Sequence, residues 1–306
     1  MTPTAMSTLL STASSPASSS ALASPSATRL RAVALAACAL LLQACGGGGS
    51  GDAGTPVTTP ATVSGATANR LSYGRLSTFT ISGTNLATAA SFSATGCDGV
   101  TVLAGGSASQ QTVTCTPNKA LSVRLAVNSG GTEVYNSTLA VPKPRVTLVT
   151  SLGSLVVELE PASAPVTVDN FLAYVNAGFY SGTIFHRVIP AFVVQGGGFT
   201  SAGAIPAGLR AAITLESNKG LSNARGTIAM ARTDVFDSAT SQFFFNSVAN
   251  TFLDYASAAS PGYAVFGRVV GATDLATIDV ISAKRTNPDD NKPVTDIVLQ
   301  SATQTL

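Results

Sequence analysis

The chain has 306 residues, room for two domains of ordinary size once any processed segment is removed. Only 10% of it is charged, it has no Trp, and aromatics are few, which argues against large stacking surfaces. Lys and Arg number 17 against 15 Asp and Glu; without Arg29 and Arg31 near the start the signs balance, and a neutral chain has no electrostatic footprint for nucleic acid.

Residues 7–28 are rich in Ser, Ala, Pro and Thr and show no hydrophobic period. Arg29 and Arg31 then precede an 11-residue apolar run, residues 32–42. That run is too short to span a bilayer and suits the core of an export signal. It ends in Leu42-Gln43-Ala44-Cys45, followed by glycines. The pattern resembles a bacterial lipobox, which implies cleavage before Cys45 and acylation of its thiol. An ordinary cleaved signal with a stray Cys is the alternative. Lipid on Cys45 would hold the protein at a membrane surface, since buried chain methylenes contribute ~0.8 kcal/mol each. The resemblance implies a cell-envelope protein on the periplasmic face of a membrane. Gly46 rather than Asp after the Cys leans towards the outer membrane.

Residues 46–62 hold Gly, Ser, Thr and Pro with hardly an apolar side chain, and read as a flexible tether. From 63 to 142 come short alternating runs, such as Ser77–Ser82, Gln111–Cys115 and Leu121–Val127, broken by Gly and Asn turns. Regular short strands of this kind predict a small β-sandwich of immunoglobulin-like type. Cys97 and Cys115 lie in it. In an oxidising compartment they are expected to form a disulfide. A zinc site is the rival reading, but two Cys with no His nearby cannot supply four ligands.

Pro142-Lys143-Pro144 marks a boundary, and residues 143–306 form the second domain. A hairpin is predicted from Arg145–Thr150 and Leu155–Leu159. Pro165 suits the first turn of a helix whose stripe is Val168, Phe171, Leu172 and Val175, with Gly178 as its stop. A second helix is expected over Thr273–Ile281, with Leu275, Ile278 and Ile281 buried, and a last strand over Pro293–Leu299.

The domain is organised around Phe185-His186-Arg187-Val188-Ile189-Pro190-Ala191-Phe192-Val193-Val194-Gln195-Gly196-Gly197-Gly198-Phe199. Alternation predicts two short strands with a proline between them. Ile184, His186 and Val188 should face one way, Phe185, Arg187 and Ile189 the other. Beyond the proline, Phe192, Val194 and Gly196 should face away from Val193, Gln195 and Gly197. The three glycines allow positive φ and close approach of another chain. By spacing alone, Phe243 and Phe244 both read as core, and a lone His in a strand reads first as structural.

This stretch resembles the hallmark of the cyclophilin family of peptidyl-prolyl cis/trans isomerases. Gly226–Arg232, Ser238–Asn246 and Gly262–Val269 follow in the family's order. The resemblance implies a mainly β fold, a closed antiparallel barrel capped by two helices, with no cofactor and no metal. It implies that Arg187 is the catalytic arginine. Phe192, Val193, Phe244 and Leu253 would receive the proline ring, with Phe243 turned to the interior. Gln195 and Gln242 would hold substrate backbone, Ala231 would line the groove, and His186 would lie near the site without being its main group. Phe252 stands where many eukaryotic members have Trp. Tyr255 stands where those members often carry a pocket-edge His. The expected partners are proline-containing polypeptides, bound by a monomer. A non-catalytic binding or chaperone role for the same groove is the alternative. A serine hydrolase is not expected, because no Gly-x-Ser-x-Gly elbow accompanies the single histidine.

Overall fold

The computed structural model describes residues 59–306. The expected export signal, Cys45 and all but the last residues of the expected tether lie outside them.

The first part is built from seven strands: β1 (Thr62–Asn69), β2 (Ser77–Thr84), β3 (Ala90–Thr95), β4 (Cys97–Val102), β5 (Gln110–Pro117), β6 (Ser122–Ser129) and β7 (Thr132–Ala140). One helical turn, α1 (Leu86–Ala89), separates β2 from β3. The strands form a four-stranded sheet in the order β1-β2-β5-β4 and a three-stranded sheet in the order β3-β6-β7, antiparallel throughout. Strand alternation explains what is buried. Phe79 and Ile81 of β2, Val113 of β5, and Val123, Leu125 and Val127 of β6 are all inaccessible. Each such side chain contributes about 1.5–3 kcal/mol by leaving water. A disulfide joins Cys97 on the edge strand β4 to Cys115 on β5, with an S–S distance of 2.07 Å.

The second part runs β8 (Arg145–Thr150), β9 (Gly153–Leu159), α2 (Pro165–Asn176), β10 (Thr183–Ile184), β11 (Arg187–Ile189), β12 (Val193–Gly196), β13 (Thr227–Met230), β14 (Phe243–Asn246), a 3₁₀ turn (Thr251–Leu253), β15 (Val265–Val269), α3 (Ala272–Ser282) and β16 (Val298–Gln304). The predicted hairpin and both helices are present. In α2 the stripe Val168, Phe171, Leu172 and Val175 is buried, and Gly178 at φ 70° follows its last turn. Its first turn is capped from far along the chain. The Glu216 carboxylate accepts from Thr167 N and Oγ1, both at 2.8 Å, and from Val166 N at 3.2 Å. In α3, Ile278 and Ile281 are buried and Leu275 packs against the core. The last strand begins later than predicted. Residues 293–297 form a loop, and β16 continues through Ser301-Ala302-Thr303-Gln304, which pair with β8.

The nine strands lie in the order β10-β16-β8-β9-β15-β13-β14-β12-β11. This is a curled half-barrel, and the expectation of a closed barrel is corrected. Its two end strands, β10 and β11, are successive pieces of one segment interrupted at Phe185–His186, so no ladder joins them. Loop backbone fills the gap instead. Phe185 N donates to Ile297 O (3.0 Å), and Val188 N donates to Asn291 O (2.9 Å). The interruption also breaks the predicted alternation, because Phe185 and Val188 both enter the main core.

The two parts are joined by polar bonds as well as apolar contact. The buried Tyr73 donates its hydroxyl to Asp169 Oδ1 on α2 (2.7 Å), and Tyr73 O accepts from Gln304 Nε2 (3.0 Å). Arg75 Nη2 donates to Gln304 O at 2.9 Å.

Candidate active site

Strand β14 explains how one sheet carries two apolar surfaces. Phe243 and Phe245 point into the main core, where Phe243 meets Phe171 edge-on at 5.7 Å. Phe244, between them, must face the other way. There it forms a separate cluster with Val193, Ala229, Ala231, Leu253, Tyr263 and Val265, and Phe192 packs against it. Val193 and Phe244 are its fully buried floor. Phe252, 56% exposed, stacks on Phe192 at 5.8 Å and 18° to form a rim. Phe192 shares this side with Val193 because it precedes β12 and is not bound by strand alternation.

Register brings the polar groups to the same place. Arg187 lies opposite Gln195, Gln195 opposite Phe244, and Phe244 opposite Ala229, one row across four strands. Arg187 Nη1 donates to Gln195 Oε1 at 3.4 Å, and Gln195 Nε2 donates to Gln242 Oε1 at 3.0 Å. Arg187 is only 8% exposed. Burial lowers the pKa of its guanidinium, and the nearby Tyr263 acts in the opposite direction. The charge persists, because arginine does not lose its proton in proteins. A small cavity of about 60 Å³ adjoins this chain, lined among others by Gln195, Ala231, Arg232 and Gln242.

The three glycines are required by close approach. A Cβ on Gly196 would stand 2.8 Å from the Phe185 ring, one on Gly197 2.7 Å from Phe243, and one on Gly198 2.6 Å from Gln242 Cγ. Gly197 also has φ 79°. His186 packs edge-on against Phe199 with ring centroids 4.9 Å apart, and its Nδ1 is buried without a hydrogen-bond partner. Burial pulls its pKa down to about 4, against the opposing influence of the Ile184 backbone and the Gln242 side chain. It is neutral at pH 7 and sits beside the glutamine relay.

The structure thus brings together Arg187, Gln195, Gln242, Phe192, Val193, Ala231, Phe244, Phe252 and Leu253, with His186 behind them. Tyr255, expected at the pocket edge, is 43% exposed. Tyr263 lies at the pocket: it meets Phe244 edge-on at 5.6 Å and lies under the Arg232 guanidinium at 4.8 Å. Arg232 is fixed there by Nε donating to Gly262 O (2.9 Å) and Nη1 donating to Thr233 O (2.8 Å). Burial raises the pKa of the Tyr263 phenol, and the cations Arg232 and Arg187 partly offset this. The signal for Tyr263 was its place in Gly262-Tyr263-Ala264-Val265-Phe266-Gly267, a block already recognisable in the sequence.

The site is thus a buried guanidinium beside an apolar cluster, with two side-chain amides in line. The family model described as "Cyclophilin type peptidyl-prolyl cis-trans isomerase/CLD" matches residues 145–304. The chain belongs to that family. It is 49% identical over 164 residues to peptidyl-prolyl cis-trans isomerase A of Dickeya dadantii, covering 53% of this chain and 85% of that one. With peptidyl-prolyl cis-trans isomerase B of Escherichia coli it shares 43% identity over 161 residues, 52% of this chain and 98% of that one. A crystal structure of a Cryptosporidium parvum cyclophilin-type isomerase, in the presence of the dipeptide Ala-Pro, aligns with a TM-score of 0.44 at 24% identity, covering 53% of this chain and 99% of that one.

Proposed function

We infer that the chain is a peptidyl-prolyl cis/trans isomerase that accelerates rotation about X-Pro bonds. The observation that carries the mechanism is the placement of Arg187: nearly buried, and held by Gln195 at the edge of an apolar cluster distinct from the core. Rotation must pass a barrier of ~18–20 kcal/mol at which amide resonance is lost. The twisted amide gives its nitrogen back a lone pair, which becomes a hydrogen-bond acceptor. Arg187 donates to that nitrogen and prefers the twisted form over both planar ones, which is what accelerates the step. Phe192, Val193, Phe244 and Leu253, with Phe252 at the rim, seat the pyrrolidine ring. Gln195 and Gln242 hold the flanking backbone, and Ala231 keeps the groove wall small. Every ~1.4 kcal/mol of preference for the twisted state is worth tenfold in rate.

The test is isomerisation of a short proline peptide by the wild type and by Arg187→Ala. Removal of one preorganised donor of this kind costs about 10²–10³ in rate, and peptide affinity should change much less. Equal rates for the two proteins would reject the role given to Arg187. The non-catalytic reading of the groove is not favoured, since the matched relatives carry isomerase names.

The wider reading is of an exported lipoprotein acting on proline-containing exported polypeptides. Its domains are a signal over 1–45, a tether over 46–62, a sandwich module over 63–142 and the isomerase over 143–306. The lipobox-like Leu42–Cys45 supports acylation of Cys45 at the periplasmic face of a membrane, the outer one by its following Gly46. Mass spectrometry of the mature N-terminus tests it, and an unmodified Cys45 would end it. An immunoglobulin-like module is supported by strand order: β1-β2-β5-β4 over β3-β6-β7 has the arrangement of a constant-type domain. The disulfide joins neighbouring strands of one sheet, unlike the inter-sheet bridge of antibody domains.

A further inference from the structure

Behind the proline pocket lie three buried asparagines with no part in the mechanism so far. Asn223, Asn246 and Asn250 are at most 2% exposed. Both amide hydrogens of each are used. Asn246 Nδ2 donates to Asn223 Oδ1 (3.2 Å) and Thr227 Oγ1 (2.9 Å). Asn223 Nδ2 donates to Leu253 O (3.1 Å) and Asp254 Oδ1 (2.9 Å). Asn250 Nδ2 donates to Asn246 Oδ1 (2.8 Å) and Phe192 O (3.0 Å). Buried polar groups are costly unless satisfied, and a fully satisfied network is rigid.

The network ends on the backbone of the two pocket walls. Phe192 O accepts from Ser247 N (3.0 Å) and Ser247 Oγ (3.1 Å) as well as from Asn250. Three donors converge on an oxygen with two lone pairs, so this carbonyl has little freedom. On the other wall, Leu253 N donates to Asn250 O at 2.8 Å. Asn250 therefore touches both walls, one through its side chain and one through its backbone.

We propose that Asn250 is a positioning residue that fixes the distance between Phe192 and Leu253 and so sets the fit of the proline ring. This rests on the isomerase reading. The residue touches no reacting atom. Its loss acts on ring binding, through the two walls it joins.

Exchange NMR of the full chain with an Ala-Ala-Pro-Phe peptide reads affinity and on-enzyme isomerisation separately. In Asn250→Ala the peptide Kd should rise about fivefold, the equivalent of one ordinary hydrogen bond, while the on-enzyme rate stays within about twofold. Thr227→Val removes an acceptor at the far end of the network without touching either wall, and should lower stability with Kd unchanged. Should Asn250→Ala fail to fold, Asn250→Ser retains one donor and should still raise Kd, by about twofold on the same scale. If the Asn250 variants lose stability but bind peptide like the wild type, or lose rate at constant Kd, the proposal is overturned. A wild type that fails to isomerise would instead remove the isomerase reading itself.

Discussion

Acid should destabilise the protein through His186 well before that ring becomes charged in the folded state. Burial takes its pKa from 6.5 to about 4. In the unfolded chain the imidazole takes up its proton near 6.5, while in the folded chain it stays neutral until about 4. Between those values the unfolded state binds more protons, so stability rises with pH across the window and is lost as pH falls through it. At 1.36 kcal/mol per pH unit the full window is worth about 3 kcal/mol, a large share of the ~5–15 kcal/mol that holds a domain folded. His186 is the only histidine of the chain. Its imidazole NMR signals are therefore unambiguous, and their midpoint should fall near 4. Urea unfolding of wild type and His186→Gln from pH 7 to pH 4 isolates the same quantity, because the carboxylates common to both cancel. The stability difference between the two should change by about 3 kcal/mol over that range. A midpoint above 6, or two stability curves that stay parallel, would refute the burial argument. The isomerisation rate should be flat from pH 6 to 8, since His186 is neutral throughout.

Two further substitutions probe the supports of the site. Gly198→Ala places a Cβ 2.6 Å from Gln242 Cγ. Gln242 must then shift and release Gln195, so the rate on a short peptide should fall about tenfold, near the ~1.4 kcal/mol equivalent of one displaced hydrogen bond. An unchanged rate would mean that the relay does not orient Arg187. Glu216→Ala removes the remote cap of α2 and should cost about 2 kcal/mol in urea unfolding. A loss under a few tenths of a kcal/mol would show that water replaces the carboxylate at little cost.

Much of the candidate site was legible in the ordered motif rather than in spacing alone. Phe244 and Phe243 illustrate this. Spacing alone assigns each to the core; the motif separates them, and the structure places one in each cluster. Where local pattern gives way to tertiary context, the sequence was less informative. The continuation of β16 through Ser301-Ala302-Thr303-Gln304 has no apolar period because its partner β8 supplies the order. The open sheet follows from the interruption at Phe185–His186, which alternation could not show. Tyr255 and Tyr263 differ in burial, which depends on how the segment after the 3₁₀ turn folds back. Asparagine is usually a turn former, and only burial reveals Asn223, Asn246 and Asn250 as a network. Glu216 caps a helix from 49 residues away, beyond any local capping signature.

The stitching of Tyr73 and Arg75 to Asp169 and Gln304 has a mechanical consequence. With these bonds in place the sandwich is no swivel. It works as a bracket, and any torque on β1 passes directly to the catalytic half. The heading of the groove is thereby tied to that of the sandwich, so the two parts turn together and present one face.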